Sequence, residues 1–85
     1  MASEVTAAFG LALAKTRRGV LRAGKPLSQE RLAEAARLDR TYVSLMERGL
    51  RQSTLSTIFR LATALDVPAV DLIRDTERRL RRMSR

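Results

Sequence analysis

The stretch "SQERLAEAARLDRTYVSLMERG", residues 28 to 49, constrains this chain more than any other. It holds two short helical patterns separated by only Arg37, Leu38 and Asp39. Helices joined by so few residues cross at a steep angle. In the first, Ser28 is placed to accept hydrogen bonds from the free N–H groups of the opening turn. Glu30 complements the dipole, and Leu27 can pack back as a staple. This helix runs to about Ala36 and turns Leu32, Ala33 and Ala36 inward. Asp39 repeats the cap for the second, whose inward residues are Val43 and Met46 with help from Leu38, and Gly49 supplies the left-handed residue that stops it. Arg40, Thr41, Ser44 and Arg48 are left outward.

The flanks read as further helices. Val5, Ala8, Phe9, Ala12 and Leu13 recur at helical spacing, and Val20 and Leu21 can continue the line. A first helix is therefore expected over roughly residues 3 to 22, with a break near Gly19 and an end at Gly24 and Pro26. Thr54 caps a fourth helix carrying Leu55, Ile58, Leu61, Ala62 and Leu65 on one face, closed by Asp66, which tolerates left-handed geometry. Pro68 suits the first turn of a fifth, with Val70, Leu72 and Ile73. No stretch alternates with period two for long enough to be a strand. The expected fold is all-α, a compact five-helix bundle over residues 1–73 with its paired-helix core at 27–49, followed by a basic extension at 74–85.

With 85 residues the chain can bury one small core and is too short for a deep cleft between domains. Its 17 Lys and Arg against 9 Asp and Glu give a net charge of +8, which favours a polyanionic partner. Residues 74 to 85 hold six Arg against Asp75 and Glu77, a net +4, so half of the excess lies in the tail. The tail is expected to be a partly disordered arm that adds non-specific affinity for a polyanion, or else merely a solubilising end. Cys and His are both absent, which excludes disulfides and thiolate or imidazole metal sites and removes the commonest general base and nucleophile. The carboxylates are scattered over caps and surfaces, so no acid-base pair can be assembled, and neither an enzyme nor a cofactor is expected. No apolar run nears the roughly 20 residues that span a bilayer, and no signal peptide opens the chain. The expectation is a cytoplasmic protein without a membrane partner.

Two helices in this arrangement present the second to the major groove of double-stranded DNA while the first lies across the backbone. The spacing fits that motif, with Gln29 at the first position, small Ala33 at the fifth and Val43 as the core plug at the fifteenth. The run from Leu27 to Ile73 resembles the XRE family, the Cro and phage-repressor-like helix-turn-helix proteins. Cap, small residue, core plug, "ERG" stop and the following "LATALDV" agree in order and spacing. The "LDRTYVS…ERG" run is also similar to restriction-modification controller proteins. Three departures stand out. Arg37 occupies a turn position where the family usually has Gly, at a cost of about 1 kcal/mol for a left-handed residue with a side chain. Asp66 and Ser53 replace a usual Gly and a common Pro. The first helix reaches Ser28 with about five residues more than the family's usual spacing.

The resemblance implies that Gln29 grips a phosphate and braces a base-reading residue, with Ser28 beside it at the helix start; the plain alternative for Gln29 is a solvated helix start. Arg40 can fork onto guanine O6 and N7, and Thr41 can bond a base edge or touch a thymine methyl. The alternative for Arg40 is an ion pair with Asp39 or a phosphate. Tyr42 either touches the DNA backbone or packs beside the first helix of the pair. Ser44 is short enough to let the helix sit deep. Arg48, Arg51 and Gln52 can clamp the sugar-phosphate chain without reading sequence. Glu47 would repel phosphate, and in the family the matching residue turns inward to an Arg of the first helix; Arg17, Arg18 and Arg22 are the candidates.

One recognition helix reads only about 4 to 6 base pairs, so a homodimer with two such helices about 34 Å apart is expected. Val67, Val70, Leu72 and Ile73, with the outer side of the fourth helix, are the candidate interface. No second domain offers a place for an inducer, so no small-molecule ligand is expected. The rival expectation is an antitoxin or adaptor whose main partner is another protein.

Overall fold

Three helix starts carry the caps that their sequences offer. The Ser28 hydroxyl accepts from the Arg31 N–H at 3.1 Å, the Asp39 carboxylate from the Thr41 N–H at 2.8 Å and the Thr54 hydroxyl from the Thr57 N–H at 3.2 Å. A computed structural model describes residues 2–84. Among them the chain forms α1 (Ala2–Gly19), a ribbon of β1 (Leu21–Arg22) and β2 (Lys25–Pro26), α2 (Gln29–Ala36), α3 (Arg40–Glu47), α4 (Leu55–Leu65) and α5 (Ala69–Met83). Pro68 stands at the N-cap of α5, one place before the first turn.

The all-α bundle is therefore present, with one addition. The first helix does not continue to residue 22. It stops at Gly19, and the chain turns back on itself as an antiparallel ribbon pairing Leu21 with Pro26 and Arg22 with Lys25. The turn residues Ala23 and Gly24 both have positive φ, 53° and 77°, the requirement of the tight hairpin turn that matches strand twist. Leu27 N–H closes the base on Val20 carbonyl at 2.8 Å. In an antiparallel ladder, hydrogen-bonded pairs alternate with unbonded ones, so Pro26 opposite Leu21 falls where no N–H is required. The ribbon fills the chain between the end of α1 and the Ser28 cap of α2.

Two helices end on left-handed residues that are not glycine. Arg37 closes α2 with φ 60° and Asp66 closes α4 with φ 58°, and each donates its N–H back to the last turn. The core joins Leu13 of α1, Leu32 of α2, Val43 and Met46 of α3, Leu61 and Leu65 of α4 and Leu72 of α5. α1 lies along α5 and against α3, while α2 packs on α3 and α4. The α1–α3 approach requires Gly10, where an added Cβ would lie 2.3 Å from the Met46 carbonyl oxygen. Among the described residues, no helix is long and apolar enough to cross a membrane.

The tail does not unwind. α5 runs to Met83, so residue 73 falls inside a continuous helix, and the partly disordered arm expected there is helical through its described residues. Leu72 and Thr76 are buried one turn apart, and the Thr76 hydroxyl donates to Leu72 carbonyl at 2.7 Å. Asp75 and Arg79 pair at 3.2 Å, and Glu77 and Arg81 at 3.6 Å, both at helical i,i+4 spacing.

Candidate nucleic-acid interface

Because Val43 and Met46 are driven into the core, the opposite side of α3 is committed to solvent. Arg40 and Thr41 are exposed in its first turn, and Ser44 follows one turn later, half-buried. Tyr42 is half-buried and packed against the core. Its hydroxyl donates to Gln52 carbonyl at 3.2 Å, and the Arg51 guanidinium lies 5.7 Å from its ring centre. Tyr42 thus fastens the loop after α3, holding Arg51 and Gln52 exposed beside the helix, with Arg48 exposed at its end. Ser28 is exposed at the start of α2, its hydroxyl oxygen engaged by the Arg31 N–H.

Behind this surface sits a shared carboxylate. Glu47, at the end of α3, accepts from Arg17 Nε at 2.6 Å on Oε2 and from Arg17 Nη2 at 2.8 Å on Oε1. The same Oε1 accepts from Gln29 Nε2 at 2.8 Å, and Arg17 Nη1 donates to Leu27 carbonyl at 2.9 Å. Of the three candidate arginines, Arg17 is the partner. One side chain therefore ties α1, the base of the ribbon and α3 together, while Glu47 fixes the amide of Gln29. The pair is little exposed, 11% for Arg17 and 5% for Glu47. The hydrogen bond to Glu47 raises the already high pKa of Arg17; burial opposes the rise and the carboxylate's charge reinforces it.

A further support has no counterpart in the sequence reading. Arg60 of α4 donates through Nε to Ala36 carbonyl at 3.1 Å and through Nη2 to Arg37 carbonyl, satisfying the free end of α2 and holding the left-handed turn. The partners are more than twenty residues apart, so no local pattern could have revealed the contact.

The expected interface residues divide. Val70 and Ile73 are exposed and Val67 is half-buried, whereas Leu72, at 1% exposure, belongs to the core and has no surface to offer a partner. The exposed set extends to residues outside the expected group: Ile73 shares a small cavity of about 110 Å³ with Val5, Phe9 and Ile58, beside Arg51 and Gln52. Val5 stood in the sequence only as one of the apolar residues at helical spacing in the first helix, and it is exposed.

The fold and this surface define a helix-turn-helix domain. The family described as Helix-turn-helix matches residues 21–72, more than half the chain, and the chain belongs to that family, in its XRE-type form. A protein from Neisseria meningitidis serogroup B named "Neisseria hypothetical transcription factor" is 43% identical over 65 residues, 76% of this chain and 61% of that protein. "Control protein C.SmaI" from Serratia marcescens is 49% identical over 47 residues, 55% of this chain and 56% of that protein. The chain thus spans about 61% and 56% of the lengths of these two relatives. The crystal structure of the restriction-modification controller protein C.AhdI from Aeromonas hydrophila matches with a TM-score of 0.68 at 43% identity, over 79% of this chain and 94% of that one. The clp gene regulator ClgR from Corynebacterium glutamicum matches with a TM-score of 0.80 at 25% identity, over 94% of this chain and 80% of that one.

Proposed function

We propose that this chain is a sequence-specific DNA-binding transcription regulator that acts as a homodimer on a palindromic or direct-repeat operator. The observation that carries the reading is the exposed first turn of α3, Arg40 and Thr41, mounted on a helix whose far end is locked by Glu47. In the mechanism, α3 enters the major groove. Arg40 reads guanine in a bidentate contact, Thr41 touches the neighbouring base edge, and Ser44 allows close approach. Ser28 and Gln29 meet the phosphates at the start of α2, with Glu47 holding the Gln29 amide in place. Arg48, Arg51 and Gln52 hold the backbone beyond α3, with Tyr42 bracing their loop, and set register.

Two copies join through Val67, Val70 and Ile73 with the outer side of α4, and Val5, which lines the same cavity as Ile73, extends that apolar surface. Control by protein concentration is the simplest scheme for such a domain. Autoregulation, as a repressor or a restriction-modification-type controller, fits it, and the likeness to C.SmaI and C.AhdI supports the second form.

The test is a titration against the chain's own upstream promoter and a scrambled duplex of equal length, at two salt concentrations. The promoter is expected to bind at least about a thousandfold more tightly. Arg40→Ala is expected to relax that preference by about 1 to 3 kcal/mol at one base pair of each half-site. Equal affinity for both duplexes, lost as salt rises, overturns specific regulation in favour of a phosphate grip. Sedimentation of the free protein tests the dimer, and Ile73→Glu is expected to leave a folded monomer.

A further inference from the structure

A wide depression on the face formed by α2 and α4 uses residues that the DNA reading leaves aside. Between the outer edges of α2 and α4 runs a groove of about 530 Å³ lined by Ala35, Ala36, Arg37, Phe59, Arg60 and Thr63. It shares Ala35 with a second depression of about 220 Å³, which reaches Arg22 on the ribbon, Arg31 and Ala64. The floor is made of alanine methyl groups and one ring, that of Phe59, which is 56% exposed. The rim is basic: Arg22, Arg31 and Arg37 carry no side-chain hydrogen bond or ion pair among the described residues, and Glu34 is the one acidic residue in the lining.

Two features make this more than a chance gap. Arg60 spends its guanidinium on the Ala36 and Arg37 carbonyls, which fixes the wall of the groove before anything binds. Arg37 projects from a left-handed backbone position that glycine would occupy without strain, so a positive charge is kept at the rim against local conformational preference. A trough of methyl groups beside an exposed ring accepts an apolar side chain, while unpaired guanidiniums around it select carboxylates and repel basic partners. One ring is no stacking platform for successive bases, so the apolar floor has no use for a phosphate backbone.

We propose that this groove docks an acidic amphipathic segment of a second protein, its apolar residues over Ala35, Ala36 and Phe59 and its carboxylates on Arg22, Arg31 and Arg37. The regulator then has two faces, one for DNA and one for a protein that it brings to the operator or that removes it.

The experiment is a fluorescence-anisotropy titration of the full chain, without DNA, with a labelled 16-residue peptide carrying Leu and Phe on one helical face and Glu and Asp on the other. A shuffled peptide of the same composition is the control. Saturable binding of the patterned peptide is expected, weakened about tenfold by Arg31→Glu combined with Arg37→Gly and, separately, by Phe59→Ala. Glycine suits the left-handed position, so the double variant keeps its fold, which far-UV circular dichroism checks. Absence of binding, equal binding of the shuffled peptide, or equal binding by the variants overturns the proposal. Displacement of the peptide by a random duplex or a single-stranded oligonucleotide at similar concentration assigns the groove to nucleic acid instead. A change of sedimentation coefficient in the variants assigns it to a second copy of the chain. None of these readouts depends on operator recognition, so the two readings fail separately.

Discussion

Two guanidinium–carboxylate pairs in this chain have the same chemistry and opposite surroundings. Arg17 and Glu47 meet at 2.6 Å with side chains 11% and 5% exposed, and they bind three parts of the chain to one another. Arg81 and Glu77 meet at 3.6 Å along α5 with 77% and 63% exposed, and they bind a helix only to itself. A charge taken out of water must keep its partner or lose several kcal/mol, whereas a solvated one exchanges its partner for water at little cost. The count of arginines is therefore a poor guide to their role. The exposed face of α3 is held from behind by one desolvated pair, while the Arg81–Glu77 pair on α5 stays open to exchange with water.

The sharpest way to break this contrast is Glu47→Ala, which strands the Arg17 guanidinium and frees Gln29. It should cost about 3 to 5 kcal/mol in urea unfolding, a large share of what a domain of this size possesses. A loss below about 1 kcal/mol would place the two pairs in one class. The pH axis sharpens the same point. A guanidinium whose pKa folding raises contributes stability that is complete below its unfolded pKa and is lost only as pH rises through the folded one. The unfolded guanidinium already titrates far above neutrality, so the Arg17 contribution should be level across roughly pH 6 to 9 in a series of melts, in a chain without histidine.

Next comes Gly10→Ala, which tests whether α1 must touch α3 for the pair to form. The new methyl carbon meets the Met46 carbonyl oxygen at 2.3 Å, so the helices must separate, at about 1 to 3 kcal/mol and with weakened Arg17–Glu47 contact. Arg37→Gly touches neither pair and calibrates the backbone: relief of the left-handed residue should raise stability by about 0.5 to 1 kcal/mol in the same assay. Arg81→Ala, the smallest effect, should cost under about 0.5 kcal/mol and vanish in high salt. A larger, salt-resistant loss would mean that the outer face of α5 is not merely solvated.

What could be read from the sequence was whatever a helix decides for itself. Ser28, Asp39 and Thr54 cap because a short polar oxygen next to an apolar period has few other uses, and Asp66 closes α4 for an equally local reason. The end of α1 was not legible, since two residues per strand are too few to show a period of two and Ala23 gives no sign of positive φ. The choice of Arg17 over Arg18 and Arg22 required the rotational phase of α1 against α3, which only packing fixes. On α5 the acid-base pairs at i,i+4 were present in the letters but were outweighed by the run of arginines. Leu72 looked like its neighbours Val70 and Ile73 until its phase put it inside.

The ribbon between α1 and α2 has a practical consequence. Its base is closed by the Val20–Leu27 bond and by the Arg17 contact to Leu27 carbonyl, while residues 21 to 26 all stand exposed. Chain inserted between Ala23 and Gly24 lengthens a loop whose ends are already held, at about 0.6 kcal/mol for each doubling. This makes the hairpin a mounting point, where an epitope, a fluorophore-bearing loop or a small guest domain can be carried with the helices beneath it undisturbed.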